Sequence, residues 1–278
     1  AYCNAGFSLF SDNLANYCGD IAVNLVITSL IIIGGIGITV VIDLRNCLTN
    51  RKRKLSLHSK MALLITAVLL IIGTISIFVF EFNNPKSMAG FPLPSKILGA
   101  YFQSVTARTA GFNTLPIGAF NQITLFFIMI IMFIGASPGS TGGGIKTTTF
   151  GVIMVLVRSI IKGKKEVEVF RRGIPQNTIF KALTILIISL GVVLMGTMIL
   201  LISEPFSLME ILFEEVSAFG TVGLSTGITP YLSSVGKLVI VSTMFLGRLG
   251  PLTLAFALTE RLRQKSQVRY PEEKITVG

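Results

Sequence analysis

Two stretches of this chain, Met61 to Phe80 and Ala182 to Ile202, run for twenty residues or more without a charge. An α-helix rises about 1.5 Å per residue, so about 20 apolar residues cross the ~30 Å hydrocarbon core of a bilayer. In hydrocarbon every backbone N–H and C=O must find its partner inside the protein, which makes helices of such continuous runs. Neither run is N-terminal or followed by a small-residue cleavage site, so neither reads as a signal peptide. Charged residues make up 13% of the 278 positions, against about 25% in a soluble domain. The hydrophobic share is 51% and the mean hydropathy +0.77. The reading is an all-α polytopic membrane protein seated in a lipid bilayer.

The formal net charge of +11 raises nucleic acid as a partner, and the placement of the charges argues against it. Basic residues cluster in Arg45 to Lys60, Arg158 to Arg172 and Arg261 to Lys274, which hold six, six and five of the 24 Lys and Arg. These stretches lack the aromatic interleaving of a nucleic-acid platform. By contrast, Ser203 to Ser217 has no basic residue and four glutamates, Glu204, Glu210, Glu214 and Glu215. That alternation follows the positive-inside rule, which puts the basic loops in the cytoplasm of a multi-pass cell-membrane protein. Cys3, Cys18 and Cys47 show no metal-ligand spacing and read as free thiols. His58, the single histidine, reads as a solvated loop residue. Without a nucleophile–base pair or metal cluster at depth, neither an enzyme nor a bound cofactor is expected.

The chain repeats itself. Phe102-Gln-Ser-Val-Thr-Ala-Arg-Thr-Ala-Gly-Phe-Asn-Thr114 aligns with Phe213-Glu-Glu-Val-Ser-Ala-Phe-Gly-Thr-Val-Gly-Leu-Ser-Thr226, with one residue inserted before the glycine. From Gly111 and Gly223 the copies run at an offset of 112, and Met132-Phe-Ile-Gly135 then matches Met244-Phe-Leu-Gly247. A more diverged copy opens the chain, where Asn4-Ala5-Gly6-Phe7 precedes the apolar run Ile21 to Ile42. Each full copy reads as a long helix, a short segment too brief to span (Pro94 to Ala107, Phe206 to Ala218), a glycine turn and a second apolar segment. All three basic segments fall on one side only if the short segments dip in and return. The opening copy lacks its first helix, so the sequence is expected to be a fragment of something longer.

Non-helical backbone at membrane depth is tolerated only where protein buries it or it lines a watered path. Gly6, Gly111 and Gly223 can be ordinary turns in outer loops, or they can let carbonyls converge on an axis and replace a cation's hydration shell. Three copies, each between a short helix and a long one, favour the second reading. Ala136 to Gly144 interrupts an apolar helix with Pro138 and four glycines, Gly139, Gly142, Gly143 and Gly144. It reads either as a loop inside the membrane or as a link between two helices. Arg248, between Gly247 and Gly250-Pro251, is a charge at a depth where charges mark function, unless it snorkels from a helix end. Arg108 reads as a structural partner for helix carbonyls or an outer glutamate. Glu210, Glu214 and Glu215 either enrich cations at the outer mouth or brace the turns, and both readings stand.

Thr221-Val-Gly-Leu-Ser-Thr226 looks like a reduced potassium-channel filter. Thr109-Ala-Gly-Phe-Asn-Thr114, with Gly135-Ala-Ser-Pro-Gly-Ser-Thr-Gly-Gly-Gly-Ile-Lys-Thr147, resembles the Trk/Ktr/HKT superfamily of potassium transporters, and KtrB-type subunits in particular. The resemblance extends over essentially the whole chain. It implies repeated helix–pore loop–helix units around a pseudo-fourfold pore: residues 1–54 as a partial second repeat, 55–172 as a third with a broken inner helix, and 173–278 as a fourth plus tail. It implies potassium coordinated by filter backbone carbonyls at Asn4, Ala5, Gly6 and Phe7, at Thr109, Ala110, Gly111 and Phe112, and at Thr221, Val222, Gly223 and Leu224. A gating loop at Gly139, Ser140, Thr141, Gly142, Gly143, Gly144 and Lys146 is implied as well, with Arg248 facing the path. Further implications are a homodimer, a cytosolic nucleotide-binding ring of KtrA/KtrC type, and sodium as a regulatory ion. Arg51 to Lys54 and Lys162 to Arg172 offer docking surfaces, and the tail Tyr270 to Lys274 a dimer contact. Any nucleotide control falls to the partner, since no nucleotide motif occurs here. The rival is an alternating-access cation symporter; such proteins usually carry inverted repeats, and these repeats run parallel.

Overall fold

The computed structural model describes residues 1–10, 12–50, 54–164 and 166–250. The third basic segment, the tail Tyr270 to Lys274, and Arg51 to Arg53 of the first docking loop lie outside the described residues.

The two charge-free runs form the longest helices. The first, α3 (Leu57–Glu81), has 25 residues, and its counterpart, called α7 below (Gln176–Ser203), has 28. At about 1.5 Å per residue each exceeds 35 Å, enough to cross a bilayer with tilt. Ser56 caps α3 by accepting from Ser59 N at 3.2 Å. The short segments are helices of about four turns: α4 (Leu93–Thr106), and α8 (Leu208–Gly220) in the later copy. A capping box starts α8: Ser207 accepts from Glu210 N, and Glu210 accepts from Ser207 N at 3.0 Å. Such a cap contributes about 1 kcal/mol.

The expected run Ile21 to Ile42 is not one helix. It divides into α1 (Ile21–Ile36) and α2 (Ile38–Thr49), which meet at 98°. Gly37 makes the corner at φ 93°, and a Cβ there would lie 2.4 Å from Pro138 O, so only glycine fits. Beyond the corner, Ile38 N donates to Gly139 O at 3.1 Å. The apolar segment of the next copy is likewise broken, into α5 (Gln122–Phe133) and α6 (Thr147–Ile161). The last copy ends in α9 (Ser234–Leu249). A two-stranded hairpin, β1 (Glu168–Val169) with β2 (Arg172–Gly173), adds a minor exception to an all-helical chain. Its turn residues Phe170 and Arg171 are both left-handed, as tight hairpins require.

The packing is inside-out. The polar short helix α8 is buried from Phe213 through Gly220, including Glu214 and Glu215, and Gln103, Ser104 and Thr106 of α4 are fully buried. The long helices instead expose Ile71, Ile75, Val79, Ile187, Leu194 and Ile202. Water would penalise that arrangement at roughly 25 cal/mol per Å² of apolar surface left exposed; lipid does not. Carboxylates tie each long helix to the inner helix of its own copy. Glu81, at the end of α3, is fully buried and accepts from Asn121 N at 2.9 Å, Ser87 Oγ at 2.5 Å, Asn84 Nδ2 at 2.5 Å and the Thr124 hydroxyl. Glu204, just past α7, accepts from Ser233 N and from Ser233 Oγ at 2.5 Å.

Candidate permeation site

The three glycine turns share one backbone design. Asn4 and Gly6 lie at φ 50° and 69°, Thr109 and Gly111 at 71° and 79°, Thr221 and Gly223 at 49° and 85°. A left-handed threonine is a genuine outlier for a β-branched residue and costs about 1–3 kcal/mol, yet it occurs at both equivalent positions.

The turns meet. A Cβ on Gly111 would lie 2.6 Å from Val222 O, 3.1 Å from Gly6 Cα and 3.4 Å from Gly223 Cα. Gly111 therefore stands between Gly6 and Gly223, in the order expected of neighbours on an arc. Behind each full turn stand matching braces. Thr106 Oγ1 donates to Phe112 O at 2.5 Å, and Ser217 Oγ donates to Leu224 O at 2.6 Å. These bonds span six residues in one copy and seven in the other, which fixes the inserted residue inside the turn. Glu214 accepts from Ser225 Oγ at 2.6 Å, Thr226 N at 2.9 Å and Thr229 Oγ1 at 2.8 Å. Its counterpart Gln103, with the amide oriented to match its surroundings, accepts from Leu115 N at 3.1 Å and Thr114 N at 3.3 Å. Glu215 points away from the mouth, accepting from Thr243 Oγ1 at 2.7 Å beside Gly196.

At the three left-handed positions the side chains carry buried polar atoms with no partner: Asn4 Oδ1 and Nδ2, Thr109 Oγ1 and Thr221 Oγ1.

Directly beneath them runs the loop between α5 and α6. Its neck is closed by Ile145 N donating to Phe133 O and by Thr147 N donating to Ala136 O, each at 3.2 Å. A Cβ on Gly142 would fall 2.1 Å from Thr109 Oγ1, and one on Gly143 2.4 Å from Thr221 Oγ1. Thr141 Oγ1 reaches Gly34 O at 3.2 Å and Tyr2 O at 3.4 Å. Lys146 Nζ donates to Gly142 O at 2.6 Å, and Arg248 Nη1 donates to Thr141 O. The loop thus reaches the turns at Thr109 and Thr221 and, at Tyr2, the backbone just before the first turn, and two cations hold it. Gly139 and Ser140 sit apart, Gly139 on the corner at Gly37. Phe7 is 89% exposed, whereas Phe112 and Leu224 are buried. Arg108 does not have the partner expected for it: its guanidinium is buried, and Nε and Nη2 have no acceptor among the described residues. Of the supporting residues, Gln103, Thr106 and Ser217 were not singled out from sequence, although the repeat alignment pairs them with Glu214 and with each other. Glu81 carries no comparable signal.

Apolar faces turned outward, polar half-helices buried and glycine turns converging at depth define a polytopic helical membrane protein with re-entrant segments. The chain belongs to the TrkH family of cation transport proteins, whose model matches residues 1–270. That family is one of transporters, not enzymes. The Ktr system potassium uptake protein B of Bacillus subtilis strain 168 is 45% identical over 279 residues, covering 100% of this chain and 62% of the relative. The potassium/sodium uptake protein NtpJ of Enterococcus hirae is 38% identical over 283 residues, with coverage of 100% and 62%. The crystal structure of the potassium transporter TrkH from Vibrio parahaemolyticus superposes with a TM-score of 0.75 at 17% identity, over 95% of this chain and 57% of that one, a likeness of fold. The chain thus spans about 62% of the curated relatives' length.

Proposed function

We propose that the chain forms most of a potassium-conducting pore of the cell membrane, with a filter of one glycine per repeat and the loop at 139–146 as its gate. The observation that carries this is the convergence of three turns of identical handedness, each with an unpartnered polar side chain on its inner side. Carbonyls of Asn4 to Phe7, Thr109 to Phe112 and Thr221 to Leu224 would replace the hydration shell of potassium, the transported substrate. The arc Gly6–Gly111–Gly223 needs a fourth turn to close, which the proposal assigns to the part of the relatives' length this chain does not span. Residues 1–54, 55–172 and 173–278 are then three successive repeats.

One glycine per turn offers fewer carbonyl sites than a longer filter, so discrimination against sodium is expected to be modest. Lys146 and Arg248 hold the loop across the path, and its departure opens it. The names of the Ktr relatives describe a system of components. On that footing the protein is a homodimer that docks a cytosolic nucleotide-binding ring at the basic loops Arg51 to Lys54 and Lys162 to Arg172, with sodium as a regulator.

The test is potassium uptake by cells lacking their own uptake systems and expressing the full-length protein with Gly223→Ser. The expected result is lost uptake or a sodium permeability raised tenfold or more. Unchanged uptake and selectivity would make the turn structural and the filter assignment wrong.

A further inference from the structure

A cavity of about 480 Å³ opens where the first turns of α3, α6 and α7 meet. Its lining is mostly apolar, with Met61 and Val152 buried, and its polar side chains are His58, Thr148, Thr149, Thr178 and Lys181. Threonines on the long helices elsewhere donate to the carbonyl one turn back, as Thr74 does to Leu70 O at 2.7 Å and Thr197 to Val193 O at 2.8 Å. The hydroxyls of Thr148, Thr149 and Thr178 make no such bond, because in a first turn the carbonyl four residues back lies outside the helix. Lys181 is exposed and pairs with no acidic side chain among the described residues, where the one ion pair is Lys164 with Glu168. Arg171 and Arg172 stand exposed on the hairpin whose last residue, Gly173, borders the same cavity.

We propose that this cavity binds the headgroup of an anionic phospholipid of the cytoplasmic leaflet, with the phosphate on Lys181 and the threonine hydroxyls and an acyl chain along Met61 and Val152. Basic pockets between helices on the cytoplasmic side suit such headgroups, and each lysine near the surface adds about 1 kcal/mol of attraction. The geometry also gives the lipid a lever. Thr148 and Thr149 lie two and three residues after Lys146, which holds the loop beneath the turns, so an occupied cavity fixes the helix on which that loop ends. The inference rests on the chain lying in a bilayer with its basic loops cytoplasmic, and not on the pore.

The experiment counts lipids retained by the purified full-length protein in native mass spectrometry, during titration with phosphatidylglycerol or phosphatidylcholine. It therefore reads binding and not transport. Wild type is expected to retain phosphatidylglycerol preferentially, and Lys181→Gln to lower that retention about fivefold with phosphatidylcholine unchanged. Thr178→Trp, which fills the mouth and leaves the charge, should lower it as well. Retention as in wild type by both variants would overturn the proposal. So would an equal loss in Lys162→Gln, which would mean diffuse surface charge. Competition by glycerol phosphate at the concentrations where the lipid binds would give the site to a soluble anion instead.

Discussion

The turns at 109–112 and 221–224 reach the same backbone shape by different means. The earlier one is braced by a neutral amide, Gln103, which accepts from two backbone N–H groups. The later one is braced by a carboxylate, Glu214, which gathers two hydroxyls and an N–H at 2.9 Å or less. Gly111 is wedged between both neighbouring turns, where an added Cβ would lie 2.6 Å from Val222 O. The repeat conserves a geometry, then, and leaves free how each copy is held. A residue's importance should follow its local neighbours more than its place in the repeat.

Glycine replacement tests the shared geometry most severely. Gly111→Ala forces a side chain to 2.6 Å from Val222 O at φ 79°, so backbone must move in two turns at once. Uptake of radiolabelled potassium is expected to fall about a hundredfold, taking strain of some 3 kcal/mol at the upper end for one left-handed residue. Gly223→Ala meets the same left-handed strain at φ 85°, and a loss of similar size is expected. Unchanged uptake in either variant would mean that the left-handed glycine at that turn is dispensable.

The braces come next. Glu214→Gln keeps one acceptor oxygen and loses the charge shared among its donors, so thermal unfolding in detergent should show a destabilisation of about 2–3 kcal/mol. Gln103→Glu retains an acceptor for both backbone donors and should cost less. A reversed order would show that the carboxylate serves cations at the mouth and not the turn. Smaller still, Thr106→Val and Ser217→Ala each remove one hydroxyl-to-carbonyl bond, about 1 kcal/mol. Their effects on potassium-over-sodium selectivity should match each other, and a twofold or greater disparity would separate the two copies in function.

How much of this could be read from residues depends on which forces leave a trace in sequence. Length and charge reveal α3 and α7, because a bilayer demands twenty uncharged residues wherever a helix crosses it. The turns and the interrupted helix show through repetition and through Pro138 with its glycines. The corner at Gly37 does not, since Ile21 to Ile42 is apolar on both sides and the bend is imposed by the backbone of residues 138 and 139, a hundred positions away. Nor does Glu81, whose partners at 84, 87, 121 and 124 come together only after α3 and α5 have packed. Glu214 and Glu215 are adjacent acids on one short helix, and only the fold turns one toward the turn and the other toward α9.

The clasp at Glu204 gives the smallest effect and the clearest sign. The Ser233 hydroxyl holds its carboxyl below the ordinary carboxylate range, aided by backbone N–H groups of Ser233 and Gly236 and opposed by partial burial. A folded value below the unfolded one means that the clasp stabilises fully above the unfolded value and loses that contribution as pH falls through the folded value. Melting temperature should therefore be level from neutral pH down to the carboxylate range and decline below it. Ser233→Ala removes the largest cause of the depression, so the variant should start lower at neutral pH and lose less on acidification, the two curves converging at low pH. Curves that stay parallel would show that the acid decline belongs to other carboxylates, and that the clasp at Glu204 holds α7 to α9 through its backbone contacts alone.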